Sequence, residues 1–218
     1  MVSNFIYICQ KKLIMKKIRI ALFASLAVIA TSCSTTETEQ EIVEPTTYSL
    51  DKEASSLEWA ANMGPDYGHT GTVEISEGTI EMEGSELTSG SFTIDMNTIK
   101  STDLEEPKAG YLAAHLMGTA PDEKHPVDMF FNTPKFPTVT VTLGEYKGGK
   151  LGLTINILGK ELKQDVAVKL MNDDNGASIK GDFALDMNSL EIPGLQPGPD
   201  GSQINPSIDF KLNVKLNK

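Results

Sequence analysis

Residues 150–157, KLGLTINI, place Leu151, Leu153, Ile155 and Ile157 on one side of an extended chain and Gly152, Thr154 and Asn156 on the other. Side chains of a β-strand alternate between its two faces, so this stretch is a strand with one dry and one wet face. The C-terminal segment repeats the pattern, with Ile208, Phe210, Leu212, Val214 and Leu216 set against Asp209, Lys211, Asn213, Lys215 and Asn217. Working outward, period-two alternation recurs in Leu57 and Trp59, in Val73 and Ile75, in Ile80 and Met82, and in Phe92, Ile94 and Met96. It returns in Val139, Val141 and Leu143, in Val166, Val168 and Leu170, and in Ile179, Gly181, Phe183 and Leu185. The chain therefore reads as all-β, with roughly nine strands in a mostly meandering order.

The connections carry hairpin chemistry: Glu77-Gly78, Gly84-Ser85, Gly148-Gly149, Gly159-Lys160 and the longer Asn172 to Gly176. Glycine and asparagine accept the positive φ of tight hairpins, so neighbouring strands are expected to pair antiparallel. Such strands either stack as a sandwich or close into a barrel, and alternation alone does not choose. Two segments depart from the meander. Lys108–Met117 sets Leu112 beside His115 and Leu116 at helical spacing, which predicts a short helix. Residues 190–207 hold Pro193, Pro197, Pro199 and Pro206 with three glycines, a composition expected to form neither strand nor helix and to act as a lid or binding loop, or to be disordered.

The N-terminus has a different character. In MKKIRIALFASLAVIATSC, residues 15–33, three cations (Lys16, Lys17, Arg19) precede an apolar run from Ile20 to Ala30, and small residues lead into Cys33. The run is about 11 residues, short of the roughly 20 that span a bilayer as a helix, so residues 1–32 read as a cleavable signal peptide. Met15 is the natural start in this reading, with 1–14 an upstream extension. Cys33 is then a lipidated N-terminus, and residues 33–47 form a solvated tether. The expected result is an exported lipoprotein of the cell envelope, on its periplasmic face or outer membrane. Cys9 leaves with the signal, so Cys33 has no intramolecular disulfide partner.

Processing removes five of the 19 basic residues and none of the 30 acidic ones, moving the formal charge from −11 to −16. A polyanion of this kind repels nucleic acid and anionic lipid, so membrane attachment is expected through the acyl anchor rather than a basic patch. The 171 residues from Tyr48 to Lys218 suffice for one domain with a sizeable core. Motifs for a serine-hydrolase elbow, a zinc helix, a phosphate loop or a dinucleotide site are missing from the sequence. His69, His115 and His125 are the only imidazoles, and their spacing fits no metal motif. Asp95, Asp103 and Asp186 would form a catalytic pair only if the fold gathered them; turns explain each equally well.

Several stretches together resemble the YceI-like family of bacterial periplasmic lipid-binding proteins. The resemblance is carried by YSLDKEASSLEWAA (48–61), HTGTV (69–73), GSFTIDMNTIKSTDL (90–104), LAAHL (112–116), MFFNTPKFPTVTVT (129–142) and KLGLTINILGKELKQDVAVKL (150–170). It implies a lipocalin-like antiparallel β-barrel over residues 48–218 with a helical insert, and an elongated apolar cavity for a polyisoprenoid, an isoprenoid quinone or a similar amphiphile bound without chemical change. In a hollow barrel the cavity wall would include Trp59, Phe92, Ile94, Met96, Val141, Leu153, Ile155, Val168, Phe183 and Leu212, with Phe130 and Phe131 between helix and barrel. His69 and His115, inside family-like motifs, are candidates for a hydrogen bond to a ligand's polar end. The alternative is a solid barrel in which the same side chains fill the core and the acidic outer face docks an envelope partner.

Overall fold

The computed structural model describes residues 44–64, 66–199 and 201–218; the signal segment and Cys33 lie outside the described residues. Ten strands form one antiparallel sheet: β1 Thr46–Leu50, β2 Ser56–Asn62, β3 Gly68–Glu83, β4 Glu86–Ser101, β5 Thr138–Lys147, β6 Lys150–Ile157, β7 Lys160–Ala167, β8 Lys169–Asp173, β9 Gly176–Asp186 and β10 Ser207–Asn217. Helix α1 spans Lys108–Met117, as the spacing predicts.

The ten strands supply eight staves because two staves are broken. β1 and β2 lie in succession between β3 and β10, β1 meeting β3 at Thr46↔Met82 and β2 meeting it at Leu57↔Val73. β7 pairs with β6, whereas β8, which follows after Val168, pairs with β9. The chain thus changes partner at Val168 and closes the sheet into a barrel. Gln164 fastens the gap beside that switch, donating to the Ala184 carbonyl at 2.8 Å and accepting from Asp186 N–H at 3.0 Å. Closure leaves few unpaired edges and resolves the sandwich-or-barrel question left by alternation.

Several expectations are corrected. Glu77-Gly78 is not a hairpin: Val73, Ile75, Ile80 and Met82 share the single strand β3, whose pairing with β4 slips between Ile75 and Glu77. A bulge uses the same small residue as a turn, which is why the signal misleads. The β6–β7 turn is centred on Leu158-Gly159, one residue earlier than expected, with both φ values positive (54° and 72°). Val166 and Leu170 fall on different strands. β1 begins at Thr46, inside the stretch read as tether, and it escaped notice because it is only five residues long.

The loop after β9 is not wholly irregular. It forms 3₁₀ turns at Asn188–Leu190 and Pro193–Leu195, the second begun by a proline whose fixed φ suits a helical first position. Leu190, Ile192 and Leu195 are buried, Gly194 N–H donates to the Met129 carbonyl, and Asn205 N–H donates to the Asn62 carbonyl. One end of the barrel is therefore capped by this loop together with α1 and the segment that follows it. The β3–β4, β5–β6 and β8–β9 hairpins and residues 44–46 lie at the other end.

Candidate functional site

Inward side chains from the barrel staves do not meet across the interior. They enclose a cavity of about 960 Å³, at the upper end of the range for small-molecule sites. Along β6 its wall runs from Leu151 to Ile157 and along β10 from Ile208 to Val214, a length of about 20 Å at strand rise. Ile94, Val141, Leu153, Phe183, Phe210 and Leu212 point inward yet are only partly buried, because their free surface faces this void rather than a packed neighbour. The solid-barrel alternative is thereby set aside.

All fourteen cavity residues expected from the sequence stand on its wall: Trp59, His69, Phe92, Ile94, Met96, His115, Phe130, Phe131, Val141, Leu153, Ile155, Val168, Phe183 and Leu212. Alternation also marked Leu57, Ile179 and Phe210, which join them. Ile192, Leu195 and Ile204 from the capping loop were missed, since a proline-rich segment has no periodicity to show which side chain faces inward. Met63, Met96 and Met187 add flexible thioethers to the wall.

Polar lining groups gather at the capped end: Asn62 at the end of β2, Tyr67 in the turn and His69 at the start of β3, together with Lys108, Tyr111 and His115 of α1. Tyr67 and Tyr111 are 58% and 56% exposed although both reach the cavity, so they flank its opening. No residue of α1 is fully buried. The helix lies on the barrel as a cover, its last turn tied down where Phe131 and Thr133 N–H donate to the Leu116 and Met117 carbonyls. Phe130 lines the cavity beside α1, its ring T-shaped to that of His115 at 5.0 Å between centroids. Gly194 has no side chain to collide with that ring.

The histidines occupy two separate settings. His69 Nδ1 lies 2.9 Å from Asp103 Oδ2, and its Nε2 lies 3.3 Å from the Tyr67 hydroxyl. Burial raises the Asp103 pKa, but hydrogen bonds from His69, Ser101 and Thr70 outweigh that effect and hold it below the ordinary carboxylate value. His115 packs 4.3 Å from the His125 ring, whose Nδ1 bonds to Asp122. Burial, then the neighbouring His125, pull the His115 pKa below 6.5, with Asp122 opposing weakly. Among the described residues no three His, Cys, Asp or Glu side chains are grouped to hold a metal ion. Asp95 and Asp186 accept hydrogen bonds from the backbone and side-chain N–H groups of Asn97 and Asn188, two residues on in each case.

The sign of the His115 shift predicts acid sensitivity. A base whose pKa is lower in the folded state takes up its proton more readily when unfolded, so stability declines as pH falls below about 6.5 and levels off below the folded value. Asp103 and Asp122, depressed carboxyls, keep their stabilising effect above 3.8 and lose it as pH falls through their folded values. Thermal melts at pH 7.5 and 5.0 should show a drop in midpoint that is smaller in His115→Gln. An equal drop in both proteins would contradict this assignment.

A scan of family models matches the YceI-like domain to residues 48–216. Among solved structures, a polyisoprenoid binding domain from Saccharophagus degradans implicated in plant cell wall breakdown superposes with a TM-score of 0.55 at 14% identity, covering 78% of this chain and 97% of that one. BcnA of Burkholderia cenocepacia superposes with a TM-score of 0.57 at 13% identity, covering 78% and 99%. No curated protein matches the sequence. Identities this low speak to the fold, whereas the family match spans nearly every strand of the barrel described above, and by it this chain belongs to the YceI-like domain family.

Proposed function

We propose that this protein binds an isoprenoid-type lipid or a similar amphiphile and holds or carries it without chemical change in the bacterial cell envelope. The observation that carries this reading is the cavity: about 960 Å³, walled by aliphatic and aromatic side chains for most of its length and polar at one end. A hydrocarbon tail makes almost no hydrogen bonds, so its affinity must come from apolar area withdrawn from water at about 25 cal/mol per Å². Burying about 400 Å² gives about 10 kcal/mol before the cost of association, enough for a stable complex in a preformed tunnel. The fold shared with a polyisoprenoid binding domain supports the same ligand class. The absence of nucleophile motifs from the sequence supports a non-catalytic role.

Solvent extraction of protein purified from an isoprenoid-producing host, followed by mass spectrometry, is expected to release a stoichiometric prenyl lipid. A cavity found empty, together with no saturable uptake of a fluorescent prenyl probe, would remove the proposal. The envelope location rests on the signal-like residues 15–33 and Cys33. Labelled palmitate should enter the wild-type protein and not Cys33→Ala; equal labelling, or none in either, would refute the lipoprotein reading.

A further inference from the structure

The polar end of the cavity contains a chain of hydrogen bonds whose direction is fixed by Asp103. Its Oδ1 accepts from Thr70 N–H at 3.1 Å and from Ser101 Oγ at 2.8 Å, leaving Oδ2 for His69 Nδ1 at 2.9 Å. The hydrogen bonds that depress its pKa keep Asp103 a carboxylate, which only accepts, so the imidazole proton sits on Nδ1. In the neutral ring Nε2 is then left with its lone pair. The group that meets it is the Tyr67 hydroxyl at 3.3 Å, a phenol O–H donating to nitrogen, and both residues line the cavity.

Tyr67 is an exposed residue on the rim whose hydroxyl is readily hydrated in place of this bond. It can therefore yield Nε2 to another donor at little cost. We propose that His69, oriented by Asp103, is the head-group acceptor of the site and selects amphiphiles ending in a hydroxyl, alcohol or phenol, over those whose head only accepts hydrogen bonds. Tyr67 stands in for that hydroxyl when the site is empty. Apolar burial sets how tightly a tail is held, whereas this single directed bond discriminates between heads, because a ligand lacking the donor leaves a desolvated lone pair unmatched. The inference rests on the lipid-binding reading above and adds the class of head group to it.

Farnesol and farnesyl methyl ether share one tail and differ in the donor. Competition of each against a fluorescent prenyl probe at pH 8 is expected to show farnesol binding about three- to tenfold more tightly to the wild-type protein. In His69→Phe the ratio of the two affinities is expected to fall to about one. In Asp103→Asn the carbonyl oxygen remains with Thr70 and Ser101 and the NH₂ group turns to His69 Nδ1, which moves the ring proton to Nε2; alcohol and ether oxygens both accept from it, so the preference for farnesol disappears. A thermal melt of each variant separates a lost preference from a lost fold. Equal affinities for the two probes in the wild type, or a preference unchanged in His69→Phe, would overturn the head-group assignment and leave lipid binding intact. Failure of both probes to compete would overturn the lipid-binding reading and this inference with it.

Discussion

Replacing Leu153 and Leu212 together by tryptophan should abolish uptake of a fluorescent prenyl lipid, lowering affinity by about 100-fold or more, while the thermal midpoint stays unchanged or rises. Both leucines point inward and are only partly buried because their ends border the void. They belong to β6 and β10, on different parts of the barrel wall. Two larger side chains would occupy space that a ligand tail needs, and a buried aromatic withdraws about 150–250 Å². In a close-packed core such enlargement costs about 1–3 kcal/mol through displaced rotamers and backbone. Here it fills a gap and adds dispersion contacts to atoms that face empty space. The combination of lost binding and preserved stability is the diagnostic result. Destabilisation of the double variant with binding retained would mean that these positions are ordinary core and that the tail does not occupy the space beside them. Titration of the probe and a thermal melt on the same sample decide the matter.

How much of this site could be seen before the fold was known follows from what alternation encodes. Leu151, Leu153, Ile155 and Ile157 must share a face in any strand, so the wall of the cavity was legible wherever a strand was regular. Alternation is silent on what lies opposite. The same pattern serves a filled barrel and a hollow one, and only the partial burial of Ile94, Val141 and Phe183 separates the two. Closure was hidden for a related reason: it depends on β7 and β8 taking different partners around Val168, and a partner exchange leaves no mark on the period. Gly78 was misread because glycine serves hairpin turns and bulges alike; in the barrel it lies beneath the Phe92 ring, with an added Cβ 2.0 Å from it. The polar end was the least visible. His69 and Asp103 are 34 residues apart, joined only because the start of β3 pairs with the end of β4. The spacing of Leu112, His115 and Leu116 gave the helix, whereas the resemblance to known family motifs supplied the barrel and the ligand class, which the residues alone left open.

Gly71→Ala should cost about 3 kcal/mol of stability and weaken lipid binding at the same time. Gly71 sits on β3 opposite Trp59 of β2 and Ser101 of β4, in the middle of three paired strands. A Cβ built there would stand 2.0 Å from the Lys100 carbonyl oxygen and 2.4 Å from the Trp59 ring, closer than atoms approach in folded proteins. The carbonyl belongs to the backbone of β4 and cannot swing aside, so the strands must separate or the indole must leave. Either movement forfeits packing. Trp59 is 8% exposed, its Nε1 donates to the Thr72 carbonyl at 3.4 Å, and its ring forms part of the cavity wall. Overpacking of this kind costs about 1–3 kcal/mol, and the backbone clash places this site at the upper end. For a domain of this size that corresponds to a fall of about 6–12 °C in the unfolding midpoint. Gly64, by contrast, has nothing near its hypothetical Cβ but holds φ at 79°, so alanine there meets backbone strain alone and should cost about 1 kcal/mol. The larger loss at Gly71, accompanied by a shift in Trp59 fluorescence that Gly64→Ala does not produce, would establish that the missing side chain makes room for the indole. Equal midpoints for the two variants, with unchanged tryptophan emission, would show that β4 relaxes freely and that the wall of the cavity is softer than its geometry implies.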